Sequence, residues 1–245
     1  MTNYAEQFLV KLSQKACHPL SQPPVGLVRL GSLRRLSPIS RKFGYDRGPK
    51  SIARYYIDQF IAKYVFDIRG HVLEIADNAY TTQFGGNRVA CSDVLHVRAD
   101  NPKATIIADL TCADDIAADT FDCIILTQTL QFIYDMRSAL SHILRILKPG
   151  GVLLATLSGI SQISRYDMDR WGEYWRFTSL SAKQLFAEFF PPQNLTIETK
   201  GNVLAAAALL YGLASCELEP AELNHYDPDY EVIITVHAVK PAANL

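Results

Sequence analysis

Residues 72–86 read VLEIADNAYTTQFGG. Val72 to Ile75 form an apolar strand that carries an acid, Glu74. In a doubly wound α/β protein such a strand runs into a glycine-rich turn, because glycine lets the backbone approach a ligand at positive φ. Here the turn is Ala76, Asp77, Asn78, Ala79 and Tyr80, and the glycines arrive only at Gly85 and Gly86. The stretch sets a strand and a ligand-binding turn at the front of a sheet and leaves open what the turn holds. Asn and Asp tolerate the left-handed region better than other non-glycine residues, so Asp77 or Asn78 is expected to adopt it.

Four apolar runs follow in order: HVLEIA (71–76), NRVACSDVLHV (87–97), ATIIADL (104–110) and FDCIILTQ (121–128), each closing near an acid or polar residue. Met136 to Leu147 has helical spacing and meets Lys148-Pro149-Gly150-Gly151, a composition that stops a helix. GVLLATL (151–157) supplies a fifth strand, Leu180 to Phe190 a helix, and residues 194–198 and 230–239 the last two strands. Strands alternating with helices predict an α/β fold: a doubly wound, mostly parallel, seven-stranded sheet with helices on both faces. Ser51 to Phe66 reads as a further helix behind a Ser51 N-cap. Residues 1–50, rich in proline and arginine, form an N-terminal arm with a short leading helix, which would act as a lid, and residues 51–245 form the ligand-binding domain.

Composition narrows the partners. The chain has 245 residues, of which 49% are apolar and 20% charged, enough to bury one full core. A net charge of −1 supplies no basic field of the kind that holds nucleic acid. The five cysteines (Cys17, Cys91, Cys112, Cys123, Cys216) are odd in number and contain no C-x-x-C pair, which favours reduced thiols. None of the six histidines has a metal-ligand spacing, so no metal is predicted. The N-terminal residues lack the pattern of a signal peptide and the longest apolar run, Val203 to Ala214, is too short to span a bilayer. A cytoplasmic protein with no membrane partner is expected, and a homodimer is compatible with these features.

In an open α/β sheet ligands bind beyond the carboxyl ends of the strands, where this chain places Glu74, Asp93, Asp109 and Thr127-Gln128. Glu74 and Asp93 lie 19 positions apart, close to the spacing at which a second-strand carboxylate accepts from ribose hydroxyls. A strand-end or turn aspartate accounts equally for Asp93 taken alone.

The acid-bearing first strand, Asp93, IIADL, FDCIILTQTLQFIYD, RILKPGG and GVLLAT together resemble the class I S-adenosylmethionine-dependent methyltransferases, over about residues 70–158. The flanks FGYDRGPKSIARYYIDQFI and DMDRWGEYWRFTSLSAKQLF resemble a subgroup associated with glycan and secondary-metabolite pathways. The resemblance implies a Rossmann-like sheet and S-adenosylmethionine as cofactor. It places Glu74 under a cofactor loop made of Ala76, Asp77 and Asn78, gives Asp93 with Val94 the ribose, sets Asp109 and Leu110 beside the adenine, and puts Thr127 and Gln128 around the methionine and sulfonium. A sulfonium cofactor carries no pyrophosphate, which softens the demand for glycines in the turn and disfavours a nicotinamide dehydrogenase.

Methyl transfer from a sulfonium is an in-line displacement, and a general base helps where the acceptor is a hydroxyl. The segment after the fifth strand, GISQISRYDMDRWGEYWRFT (159–178), holds both tryptophans and could wall the acceptor side as a substrate-side insertion, with Ser158-Gly159 as a flexible start. Asp167 is the candidate base, with Tyr166 and Arg176 as further catalytic candidates. Trp175 from the insertion, with Arg47 and Tyr55 from the arm and its helix, would bind substrate. A structural wrap that buries Trp175 and Phe177, and a packing stripe that buries Tyr55 and Tyr56, explain the same residues. The expected function is methyl transfer to a hydroxyl, less readily an amine, of a small molecule, glycan or secondary metabolite; the alternative is a non-catalytic or repurposed binding protein on the same fold.

Overall fold

The computed structural model describes residues 23–24 and 26–242. Cys17 and the helix expected near the start of the arm lie outside the described residues. Seven strands form one sheet: β1 (Gly70–Ile75), β2 (Val89–His96), β3 (Ile106–Ile107), β4 (Phe121–Thr127), β5 (Leu147–Ser158), β6 (Leu195–Lys200) and β7 (Ile233–Val239). Their order is β3-β2-β1-β4-β5-β7-β6, with β1 to β5 parallel and β7 antiparallel to both β5 and β6.

The central strands are apolar without interruption because both of their faces are covered. On one face Leu73, Ile124, Leu126, Leu153 and Ala155 pack against α2 (Met136–Ile146) and α4 (Ser179–Ala187) through Leu140, Ile143, Leu185 and Phe186. On the other, Val72, Cys123, Ile125 and Leu154 meet α1 (Ile52–Lys63) and α5 (Val203–Tyr211) through Ile57, Phe60, Ile61, Ala205 and Leu209. Burial pushes the Cys123 thiol well above its ordinary range, which keeps it protonated and inert.

Local chemistry sets the helix ends. The Ser51 hydroxyl accepts from Arg54 N and starts α1 where the sequence predicts, and Asp135 accepts from Ser138 N at the start of α2. Thr178 and Ser181 form a capping box on α4. The sequence predicts a turn at Lys148 to Gly151, whereas β5 begins at Leu147, immediately after α2. Phe121 pairs with Leu147 and Cys123 with Val152, so the intervening residues bulge out of the ladder while remaining extended. The run 104–110 yields only the two-residue β3, whose edge position leaves Ile107 half exposed.

Two short helices, α3 (Arg165–Trp171) and α6 (Pro220–Asn224), complete the described elements that face the site or support it. The described residues from Ser37 onward form one compact unit. Within it the chain before α1 packs on the end of α5: Ile39 N and Ser40 N both donate to Tyr211 O. Gly212 closes α5 at φ +76°, and a Cβ there would stand 2.0 Å from Ser40 O. The short segment before Ser37 contains a 3-10 turn at Gly31–Leu33.

Candidate active site

The turn after β1 keeps a left-handed residue without a glycine. Ala76 takes φ +70°, in place of Asp77 or Asn78. The two polar residues make local bonds instead: Asp77 Oδ1 accepts from Ala79 N at 3.1 Å, and Asn78 Nδ2 donates to Ser92 Oγ at 3.2 Å. Glu74, only 3% exposed, accepts from Tyr80 N at 3.1 Å and from Thr81 N and Oγ1 at 2.8 Å each. Burial raises the pKa of this carboxyl, and the bonds from Thr81 and Tyr80 oppose that rise. Glu74 thereby ties the turn to β1.

A cleft of about 900 Å³ opens at the carboxyl edge of β1, β2, β3 and β4. It brings together Glu74, Ala76, Asp77, Asp109, Leu110, Thr127 and Gln128 from the sheet side and Asp167 from the insertion. Among the described residues four have positive φ without being glycine, and three of them, Phe43, Ala76 and Gln128, line this cleft. Strain of this kind collects where surrounding structure holds a functional geometry. A second cavity of about 820 Å³ lies between α1 and β6, where Lys63 and Glu198 pair with each other; no carboxyl-edge residue of β1 to β4 lines it.

Several expected site residues stand outside the carboxyl-edge cleft. Asp93 lies three residues before the end of β2, and its oxygens are taken by His71 Nε2 at 2.6 Å and Thr105 Oγ1 at 2.7 Å. Cys91 Sγ lies within 4.8 Å of the His71 and Asp93 donor atoms on the same sheet face. Val94 is buried in the sheet, and Asn78 turns to Ser92. The edge of β2 is instead His96-Val97-Arg98, because the strand continues past the acid.

The arm and insertion residues divide in the same way. Arg47 spends its guanidinium on both oxygens of Glu217, and Tyr55 OH donates to Asn224 Oδ1 at 3.1 Å. Tyr166 is 64% exposed beneath the Arg170 guanidinium. Trp175 Nε1 donates to Ile133 O at 3.1 Å and its ring stacks on Tyr134, so it backs the wall without lining it. Arg176 pairs at 2.7 Å with Glu173, whose side chain is 4% exposed. Gly159 is no hinge: its N donates to Val232 O, and a Cβ there would lie 2.1 Å from Glu231 O.

Sequence reasoning missed Arg54 and Gln131. Arg54 sits on α1 beside the turn, with Nη1 on Tyr80 OH, Nε 3.4 Å from Tyr45 OH and the guanidinium 5.1 Å over the Tyr80 ring. Among the described residues it has no carboxylate partner, although a cation at a helix position three before buried Ile57 is itself a signal. Gln131, 3% exposed, donates to Gln128 Oε1 while its own Oε1 has no partner. A buried acceptor left open in a cleft is a place for a ligand donor.

Comparison with known proteins bears on the same region. The family model described as a methyltransferase domain matches residues 43–198, which is 156 of the 245 residues. A SAM-dependent methyltransferase from Archaeoglobus fulgidus superposes with a TM-score of 0.51 at 9% identity, covering 77% of this chain and 94% of that one. The N-methyltransferase NodS from Bradyrhizobium japonicum WM9, in complex with S-adenosyl-L-homocysteine, gives 0.49 at 16% identity, with 83% and 95% covered. No curated protein sequence matches the chain. The family match spans both sides of the cleft, so the chain belongs to the methyltransferase-domain family and its cofactor is S-adenosylmethionine.

Proposed function

We propose that the chain moves a methyl group from S-adenosylmethionine to a hydroxyl, in preference to an amine, of a small polar acceptor such as a glycan or secondary metabolite. The observation that carries this is the composition of the outer wall: Tyr45, Tyr134 and Tyr174 line it together with Asp135, Asp167 and Arg170. Aromatic faces beside carboxylates and a cation suit a polyhydroxylated molecule, which has apolar ring faces and many donors.

The residues present fit the cofactor. Among the described residues Arg54 has no carboxylate partner, and it stands by the turn, so it would take the cofactor's carboxylate, while Asp77, 3.7 Å from Lys103, would take its ammonium. Asp109 and Leu110 would flank the adenine; Asp109 Oδ1 is held by Thr111 N and Oγ1 at 2.8 Å each, which fixes the orientation of the carboxylate. Thr127, Gln128 and the open Gln131 Oε1 would line the methionine end. The bound cofactor supplies a methyl group already activated by a sulfonium. What the protein adds is alignment, exclusion of water and a place for the acceptor proton.

Asp167 is the group proposed for that proton. It lines the cleft near the start of α3, where Ser164 Oγ donates to its Oδ2 at 2.5 Å and no described residue bonds its Oδ1. Asp167→Asn should lower the rate of S-adenosylhomocysteine release on an active acceptor by about 10² or more. Its affinity for S-adenosylhomocysteine should stay within about threefold. Unchanged turnover removes the base role. A wild-type protein that binds the cofactor yet methylates no member of a panel of sugars, phenols and amines favours the non-catalytic alternative.

A further inference from the structure

The edge of β2 is where a doubly wound site reads a ribose, and this edge carries no carboxylate. Asp93 is committed to His71 and Thr105, and the residues that reach the cleft are His96, Val97 and Arg98. The His96 ring is oriented by its own chain: Nδ1 lies 2.9 Å from Arg98 O and 3.2 Å from Arg98 N. The two contacts exclude each other: with the proton on Nδ1 the ring donates to Arg98 O and Nε2 is left as a lone-pair acceptor, which no described residue bonds. An imidazole in that state offers a ribose hydroxyl what a carboxylate would.

The same ring touches the insertion. Trp171, the last residue of α3, packs edge-on against His96 with centroids 5.5 Å apart, and the Arg98 guanidinium lies 5.6 Å from the Trp171 centroid. All three side chains line the cleft. Arg98 also pairs with Asp100 at 3.0 Å, which holds it at the mouth. The end of the insertion helix is thus stacked on the residues that occupy the ribose edge.

We infer that His96 takes the place of the expected second-strand carboxylate and holds the cofactor's ribose through Nε2, with Trp171 closing the insertion over it. The inference rests on the cofactor assignment of the cleft, and its test keeps the two apart. Wild-type protein, His96→Ala, His96→Asp, Asp93→Ala and Trp171→Ala are titrated with S-adenosylhomocysteine and with its 2′-deoxy analogue by calorimetry, after circular dichroism has shown each to be folded. His96→Ala should weaken S-adenosylhomocysteine at least tenfold, and His96→Asp should recover most of that loss by restoring an acceptor. Asp93→Ala should stay within about threefold. Removing the 2′-hydroxyl should weaken binding to wild type but not to His96→Ala, since the partner is already gone. Trp171→Ala should weaken both ligands alike, by severalfold, since it covers the site without bonding the 2′-hydroxyl. Equal affinity of wild type and His96→Ala, or a loss with Asp93→Ala that exceeds the loss with His96→Ala, overturns the inference. A wild type that binds neither ligand overturns the cofactor assignment beneath it.

Discussion

On the strand side of the cleft, Glu74 is 3% exposed and both of its oxygens are bonded to the turn it supports; on the insertion side, Tyr166 is 64% exposed and Arg165 and Asp169 pair across one helical turn in solvent. The first side is built from parallel strand ends, whose positions are dictated by a ladder that runs through the core. The second is a short helix and an extended segment, held by a few points: Glu173 to Ser164 N, Arg176 to Glu173, Trp175 to Ile133 O and Trp171 to the β2 edge. The difference fits the proposed division of labour, in which the strand ends would hold the cofactor and the insertion could vary without unfolding the sheet. It can be broken or sharpened by substitutions on each side.

The largest effect is expected at Glu74. Its replacement by Ala strands Tyr80 N and Thr81 N in a buried turn, and at about 1–3 kcal/mol per unsatisfied donor the loss should be roughly 2–6 kcal/mol in urea unfolding. A loss below 1 kcal/mol would show that the turn does not depend on its acid. Next comes Arg176→Ala, which leaves the nearly buried Glu173 carboxylate without its cation and with Ser164 N as its remaining donor; about 1–3 kcal/mol of stability should go, with cofactor affinity unchanged. Equal loss of stability and affinity would mean that the two sides are one unit.

Arg54→Met tests the donor side directly. It should weaken S-adenosylhomocysteine by about 1.5–3 kcal/mol, the range for a hydrogen bond to a charged group, with Arg54→Lys intermediate. Unchanged affinity would move the cofactor's carboxylate elsewhere. A smaller effect of opposite sign is expected from Ala76→Gly. Relief of the left-handed Ala76, worth about 1–2 kcal/mol, exceeds the roughly 0.4–1 kcal/mol of unfolded-chain entropy that glycine adds, so stability should rise slightly and affinity should hold or improve.

The smallest effect concerns Arg47, which the sequence placed in the substrate site. The guanidinium hydrogen bond to Glu217 holds that carboxyl below its ordinary value of 4.5, with burial opposing. A depressed carboxyl stabilises the fold above its unfolded pKa, and the contribution is lost as pH falls through the lower, folded one. Thermal melts of wild type and Glu217→Gln should therefore differ slightly above about pH 4.5 and converge as pH falls from there through the lower, folded value. A difference that persists at low pH would assign the pair a role other than charge.

Much of the architecture was legible in the residues. Continuous apolar runs, the Ser51 cap and the strand-ending polar residues pointed to the sheet, to most of its flanking helices and to seven residues that line the strand side of the cleft. α5 escaped because VLAAAALLY is apolar on every side, so no amphipathic stripe marks it as helical. Asp93 was misplaced because the count of 19 from Glu74 assumes that the strand stops at the acid, and β2 runs on to His96. The insertion residues were chosen by type, and type does not tell which of Tyr166, Asp167, Trp175 and Arg176 faces inward on a seven-residue helix and the extended segment after it.

The chain's linear order alone determined a doubly wound sheet, a carboxyl-edge ligand site and a glycine-poor turn suited to a cofactor without pyrophosphate, because these follow from local periodicity and from which residues end each strand. Only the tertiary structure decided which side chains reach the cleft. Arg54 is brought to the turn from a helix twenty residues upstream of Glu74, Gln131 is left with an open acceptor by burial, and His96 and Trp171, 75 positions apart, meet across the mouth. Such pairings depend on packing between distant segments and on where a ladder ends, and neither quantity has a signature in the neighbouring sequence.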